Sequence, residues 1–411
     1  PPFWKCWSYC DGDLSMIRFG PAGIPLSCKG RTLRDGIEDV HSLGLTAMEV
    51  QMLRINAMER FPDDDEIGLS PLEIETDLVV EIIRTKGKKE ISITDPSEPI
   101  KESDVLISLA SGLAQTYSEF NEIGAMGKEM DVQLSMHTPY YMDLGTNDEL
   151  TAKCLNALRW AGMMTDQMDG KIVVTHMGLY GDNPKKQTKK NIIDNLSEIM
   201  AWWDDNGIRP KLGLEMSGRQ EVFGSTSEIF EVCDNVPGTI PVINFAHVHA
   251  RNPTLHEPED FGILIDEVRK YASNDIYAHF AGVEHEGGNE KRITPIKRGD
   301  LKFEPLAEYL ADESANVTII SSSPLLEHDA MYMKLIYERM LTRKVSKESR
   351  IKKGGKEQSF DDVGYDISID GVSPSSDESA SFPDDSLDDL DTESDSFDDL
   401  ELKKSSPKRK R

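Results

Sequence analysis

Histidines and one glutamate recur along this chain at nearly regular intervals. His137, His176, Glu215, His247 and His279 are separated by 39, 39, 32 and 32 residues. Each follows an apolar, strand-like run, in the segments SMHTPYY, VVTHMG, LGLEMSG, INFAHVHAR and IYAHFAG. Neutral imidazoles and carboxylates are donors that zinc and similar divalent ions prefer. A single histidine at a strand end is more commonly a hydrogen-bonded rim residue, but the joint pattern favours a metal site.

Eight strand-then-helix units follow one another between residues 16 and 343, with a periodicity that alternates between strand and helix. This count predicts a closed (β/α)8 barrel, or TIM barrel, in which strand ends converge at one mouth. A phosphate-binding GxGxxG or P-loop motif is absent, which disfavours an open nucleotide-binding sheet. An insertion at about 57–118 follows the second strand, and its pattern predicts helices around 73–84 and 104–128.

The two ends of the chain differ from its middle. Residues 1–15 show no periodicity and are predicted to be an unstructured extension, with the native start predicted at Met16. Residues 344–411 are rich in Ser, Asp and Glu and end in the basic segment KKSSPKRKR. This composition is typical of a disordered tail.

The charge distribution restricts the classes of partner. The chain has a net charge of −28, and residues 344–411 carry 12 basic and 18 acidic side chains, which leaves −22 on residues 1–343. A region as acidic as residues 1–343 does not bind nucleic acid through a broad basic face. Any contact with DNA must therefore be local or made through bound cations. No apolar run is long enough to predict a membrane span.

The cysteines predict a reducing compartment. Five are present, at positions 6, 10, 28, 154 and 233, and their odd number and scatter do not suggest a disulfide framework. Cys6 and Cys10 lack a second pair that would complete a zinc ribbon. With no apparent signal peptide, this usage predicts a cytoplasmic protein.

The strings HTPYY, VVTHMG, LGLEMSG and FAHVHAR together resemble the endonuclease IV family, within the wider group of xylose isomerase-like TIM barrels. The resemblance extends in order over about 16–343. The opening FGPAGIPLSCKGRT is similar to an archaeal branch of these barrels. The resemblance implies a zinc-dependent, or manganese-dependent, endonuclease that cuts DNA beside abasic sites.

The resemblance also implies roles for individual residues. His137 and His176 match ligands of the first metal of a three-metal cluster, and Glu215 matches the carboxylate that bridges the first and second metals and works with the metal-activated water. His279 matches a ligand of the second metal, and His247 a ligand of the third. Tyr140 matches an aromatic residue that the family uses to probe the DNA minor groove.

Several family ligands are altered in this sequence. Asn244 and Ser322 stand where the family has carboxylates, and the segment at 290–293 lacks the family's histidine. Loss of ligand charge weakens the binding of divalent metals. Glu284, Glu286 or Glu290 are the candidate replacements.

Three functions therefore compete. The intact histidines on strands three and four favour a DNA phosphodiesterase. A sugar isomerase or epimerase of the same superfamily would use the positions of Glu215, Asn244, His279 and Ser322, of which two are altered. The third alternative is a degenerate barrel that binds a ligand without catalysis.

Overall fold

The structure is a computed structural model that describes residues 16–53, 56–272, 275–313 and 316–352. The predicted N-terminal extension and the predicted tail beyond residue 352 lie outside these ranges. The chain divides into a compact unit that includes the described residues up to Lys344 and a second unit whose described residues, 345–352, are helical. The last helix therefore continues past the boundary predicted at residue 343.

Eight parallel strands form the central sheet. They are β1 Ile17–Pro21, β2 Ala47–Gln51, β7 Gln133–His137, β8 Ile172–Thr175, β9 Lys211–Glu215, β10 Thr239–Asn244, β11 Asp275–Phe280 and β14 Asn316–Ser321. Their spatial order is β1-β14-β11-β10-β9-β8-β7-β2. This order confirms the predicted (β/α)8 barrel.

The barrel is nearly closed where β1 approaches β2. A single parallel bridge joins Ala22 to Glu49 at this seam. Gly20 lies so close to β2 that a Cβ atom there would be 1.8 Å from the carbonyl oxygen of Ala47. Only glycine permits this approach of two backbones, so Gly20 helps to place Glu49 at the barrel mouth.

Helices follow the barrel strands and bury one face each. Their bounds are α1 Leu33–Ser42, α2 Tyr117–Glu129, α3 Glu149–Gln167, α4 Lys185–Asp205, α5 Thr226–Asn235, α6 Phe245–Arg251, α7 Pro258–Ala272, α8 Glu304–Asp312 and α9 Glu327–Lys352. In α1 the Thr32 side chain accepts a hydrogen bond from the backbone N–H of Asp35, and the periodic residues Leu33, Ile37 and Val40 are buried. None of the described helices is long and apolar enough to cross a membrane.

The insertion after β2 is a four-stranded antiparallel sheet, so the helix predicted around 73–84 is wrong. The helix predicted around 104–128 is wrong over its first part and is confirmed only from Tyr117 onward. The strands of the insertion are β3 Asn56–Arg60, β4 Leu78–Lys86, β5 Lys89–Ile93 and β6 Val105–Ala110, which pair in the order β3-β6-β4-β5. The run LVVEIIRTK is rich in β-branched residues, whose stiff side chains favour strands. Leu106 and Leu109, within the range of the second predicted helix, lie on β6, and α2 begins only at Tyr117.

Two elements at the carboxyl ends of the barrel strands complete the mouth. The short helix α6 begins immediately after β10, so His247 and His249 lie on this helix and not at the end of the strand as predicted. An antiparallel hairpin, β12 Gly282–Glu286 and β13 Asn289–Thr294, follows β11. Contacts between α6 and this hairpin bring residues from β10, β11 and β13 to one region.

Candidate metal centre

Glu215 at the end of β9 is the centre of the polar cluster in the barrel mouth. Its side chain is only 3% exposed. The Oε2 atom lies 3.1 Å from Nε2 of His137 and 2.9 Å from Nδ1 of His176. The ligand atoms of these three residues, which come from three adjacent strands or their ends, lie within 4.8 Å of one another. The structure thus brings together the predicted first set of ligands.

The other carboxylate oxygen of Glu215 faces β10 and β11. The side-chain N–H of Asn244 donates to Oε1 at 2.9 Å, and Nδ1 of His279 lies 3.0 Å from the same atom. The backbone N–H of His247 donates to Oδ1 of Asn244, which caps α6. Asn244 therefore contacts the cluster as a hydrogen-bond donor, where a carboxylate would have brought negative charge.

Glu49 on β2 is a second buried carboxylate that sequence reasoning missed. It is 1% exposed. Its Oε2 atom accepts a hydrogen bond from the hydroxyl of Tyr277 at 2.9 Å and lies 2.7 Å from Nε2 of His279. Gln51 donates to Oε1 at 2.8 Å. The signal in the sequence was an acidic residue inside the strand AMEVQ, because a charge in a buried strand requires partners.

His247 reaches the cluster from α6 and meets Glu290 on β13. Nε2 of His247 lies 3.1 Å from Oε2 of Glu290, while its Nδ1 lies 2.8 Å from the carbonyl oxygen of Met216. Among the three glutamates that were candidates to replace lost ligands, Glu290 is the one in contact with a site histidine. Glu284 is exposed and pairs with Arg292.

The remaining sequence candidates lie apart from this cluster. Tyr140 follows β7 and is 81% exposed, with its ring edge-on to Tyr141. Ser322 follows β14, and its backbone N–H donates to the carbonyl of Phe280. Its hydroxyl oxygen is buried and has no hydrogen-bond partner within the described residues. Neither residue contributes to the contacts around Glu215.

Two imidazoles that contact Glu215 face hydrogen-bond acceptors on both sides. His137 lies between the carbonyl of Thr138 and Glu215, and His279 lies between Glu49 and Glu215. An imidazole flanked by two acceptors needs a second proton, or a cation in the place of that proton. The buried donor set of imidazoles and carboxylates therefore fits a divalent metal ion.

The electrostatics of this site follow from these contacts. Burial by itself would raise the pKa of Glu215, but the neighbouring His176 and His279 hold it well below its usual value. Burial would likewise raise the pKa of Glu49, yet His279 lowers it. Burial opposes the charge on His279, but the two glutamates outweigh this effect and raise its pKa to about 10. The pKa of His137 is raised for the same reason.

We expect the stability of the metal-free protein to fall as pH rises from about 6.5 to about 10. The pKa of His279 is higher in the folded state than the ordinary value of 6.5, so its stabilising contribution is complete below pH 6.5 and is lost as pH passes the folded value. Urea unfolding of the chelator-treated protein at several pH values tests this. A free energy of unfolding that stays constant across this pH interval would contradict a raised pKa of His279 in the folded protein.

Comparisons with known proteins connect this barrel to a family. The model of the xylose isomerase-like TIM barrel family matches residues 37–324. An uncharacterized protein, MJ0133, of Methanocaldococcus jannaschii is 27% identical over 217 residues, which cover 51% of this chain and 78% of that protein. "Probable endonuclease 4" of Malacoplasma penetrans is 25% identical over 207 residues, which cover 48% and 70% respectively.

Some solved structures are similar to this chain at lower identity, with TM-scores below 0.5. Endonuclease IV from Thermus thermophilus superposes with a TM-score of 0.49 at 16% identity, covering 79% of this chain and 99% of that one. An L-ribulose 3-epimerase superposes with a TM-score of 0.48 at 11% identity, covering 84% and 99% respectively. The family match at 37–324 includes every residue of the Glu215 cluster, from Glu49 to Glu290, and the chain belongs to the xylose isomerase-like TIM barrel family.

Proposed function

We propose that this protein is a metal-dependent phosphodiesterase that cleaves DNA beside abasic sites, as the resemblance to endonuclease IV implies. The observation that carries the proposal is the convergence of His137, His176 and His279 on the buried carboxylate of Glu215. A nitrogen-rich set of this kind suits zinc, with manganese as the alternative. The relative named as a probable endonuclease 4 supports the same assignment.

The proposed chemistry assigns distinct roles to the residues of the site. His137, His176 and Glu215 would hold the first ion, and His279 and His247 would hold further ions with help from Glu49 and Glu290. A bound divalent ion would supply positive charge to a phosphate oxygen and would lower the pKa of a water molecule. Glu215, which touches three imidazoles, would orient the ligands and the metal-activated water.

DNA would contact this barrel locally. The net charge of −22 on residues 1–343 repels a polyanion, so bound cations in the mouth would have to offset that repulsion. Tyr140 is an exposed aromatic side chain that follows β7, the strand that also supplies His137. An exposed ring at this position is suited to stack on or probe a base next to a lesion.

Incision of a duplex oligonucleotide with one abasic site tests the proposal. With zinc or manganese supplied, we expect nicking beside the abasic residue that a chelator abolishes and that an undamaged duplex does not show. His176→Ala should greatly reduce both nicking and bound metal. Absence of nicking at high concentrations of metal-loaded protein would exclude this activity and leave the small-molecule and binding alternatives.

A sugar isomerase or epimerase is the second candidate, and Glu49 is the observation that favours it. Two buried carboxylates, Glu49 and Glu215, flank His279, and proton transfer at a sugar carbon uses such acid–base groups. Glu49 already contacts Tyr277, His279 and Gln51. It is therefore less available as a general base than a carboxylate without such partners would be. Conversion of ketose sugars by the metal-loaded protein, without nicking of DNA, would support this candidate instead.

A further inference from the structure

A second cluster of metal-ligand side chains lies apart from the Glu215 cluster. It consists of His249 on α6, His285 on β12 and Asp300 in the loop before α8. Their ligand atoms lie within 4.8 Å of one another. Oδ1 of Asp300 is 3.3 Å from Nε2 of His249 and 3.2 Å from Nε2 of His285. Three segments that are separate in sequence thus present two imidazoles and a carboxylate to one point.

His249 is the residue that points to a ligand. Its side chain is 0% exposed, and neither ring nitrogen has an aligned hydrogen-bond partner among the described residues. Buried polar atoms are nearly always hydrogen-bonded, because leaving one unsatisfied is costly. Coordination to a cation next to Asp300 would satisfy the nitrogen that faces this carboxylate.

A third histidine near the cluster is not a ligand candidate. The ring of His256 packs edge-on against that of His249, with centroids 5.3 Å apart. Its Nε2 atom is 3.0 Å from the carbonyl oxygen of Pro253, and it is not one of the three clustered residues. His256 therefore offers a matched control, since it has the same side chain at the edge of the same cluster.

We propose that His249, His285 and Asp300 form a separate binding site for a divalent transition-metal ion, of which zinc is the type that best suits two imidazoles and one carboxylate. The site shares no residue with the Glu215 cluster. His247 and His249 lie on the same short helix but meet different carboxylates, Glu290 and Asp300. The proposal holds whether or not the Glu215 cluster belongs to a nuclease.

An ion at this site would tie the hairpin to α6. The hairpin carries both His285, a proposed ligand, and Glu290, which contacts His247 in the first cluster. Coordination by residues of α6, β12 and the loop at Asp300 would limit the movement of β13 away from α6. An ion bound by His249, His285 and Asp300 would thus position Glu290 without taking part in the reaction.

Cobalt binding to the full chain tests the second site. After metal removal, Co²⁺ is titrated into the His176→Ala variant, in which the first site is impaired, and bound metal and the visible absorption of Co²⁺ are measured. Among the Co²⁺ that this variant still binds, we expect one equivalent that His176→Ala/Asp300→Asn and His176→Ala/His285→Ala both lose. His176→Ala/His256→Ala should keep it.

The variants are chosen so that misfolding does not obscure the result. Asp300 is 54% exposed, so Asp300→Asn should keep the fold, and thermal melting of each variant without metal verifies this. The expected result also includes a Co²⁺-dependent rise in melting temperature that Asp300→Asn abolishes. Retention of the metal equivalent and of this rise in both Asp300→Asn and His285→Ala, or absence of any such equivalent in His176→Ala, would overturn the proposal.

Discussion

Replacing Glu215 by glutamine should remove most of the metal from the barrel mouth and lower the proposed phosphodiesterase activity by about 10³-fold. The carboxylate lies within 3.1 Å of nitrogen atoms of three histidines and of Asn244. A neutral amide of the same shape supplies no charge to a cation, and its N–H₂ group would face imidazole nitrogens or the amide of Asn244. Metal content by mass spectrometry and the rate of nicking measure the two effects.

Glu284→Gln is the matched control for this prediction. Glu284 lies on the hairpin near the mouth, where it is exposed and pairs with Arg292. An exposed ion pair contributes little, so this variant should keep wild-type metal content and activity. Thermal melting separates loss of metal from loss of fold. If Glu215→Gln bound metal and cleaved DNA like the wild type, Glu215 would not be a ligand.

Replacing Asn244 by aspartate should strengthen metal binding and destabilise the metal-free protein. The new carboxylate would lie beside Oε1 of Glu215, where the Asn244 amide now donates at 2.9 Å. Without metal, two adjacent carboxylates repel, so one of them binds a proton more tightly and the variant is less stable than the wild type at neutral pH. With metal, the added charge should lower the dissociation constant by about 10-fold or more.

Melting temperatures with and without zinc test this second prediction, together with calorimetric titration of the metal. The metal-free variant should regain stability as pH falls below neutral, because protonation removes the repulsion. Asn156→Asp on α3 is the control, since Asn156 accepts a hydrogen bond from Arg159 and a carboxylate is compatible with that contact. A variant that bound zinc no more tightly than the wild type would show that position 244 does not face the metal.

The barrel was predictable because its signal is local and repeated. Each barrel strand is a short, nearly continuous apolar run, as in IVVT or TIPVIN, followed by a helix whose apolar residues recur at helical spacing. The prediction for the insertion was wrong because LVVEIIRTK also fits an apolar helical face over so short a length. Its β-branched residues pair with β5 and β6, and a pairing between distant segments is not visible in a local pattern.

The amino-acid sequence by itself determined the eight-unit barrel and the set His137, His176, Glu215 and His279, because residues at the carboxyl ends of parallel barrel strands must meet at one mouth. Only the tertiary structure decided which other groups join them. Glu49 comes from β2, Glu290 from the far strand of a hairpin, and Asp300 from a loop, so their contacts depend on how distant segments pack. The spacing of residues along a strand or helix determines on which side of that element each side chain lies. The position of a loop or hairpin is instead set by long-range packing.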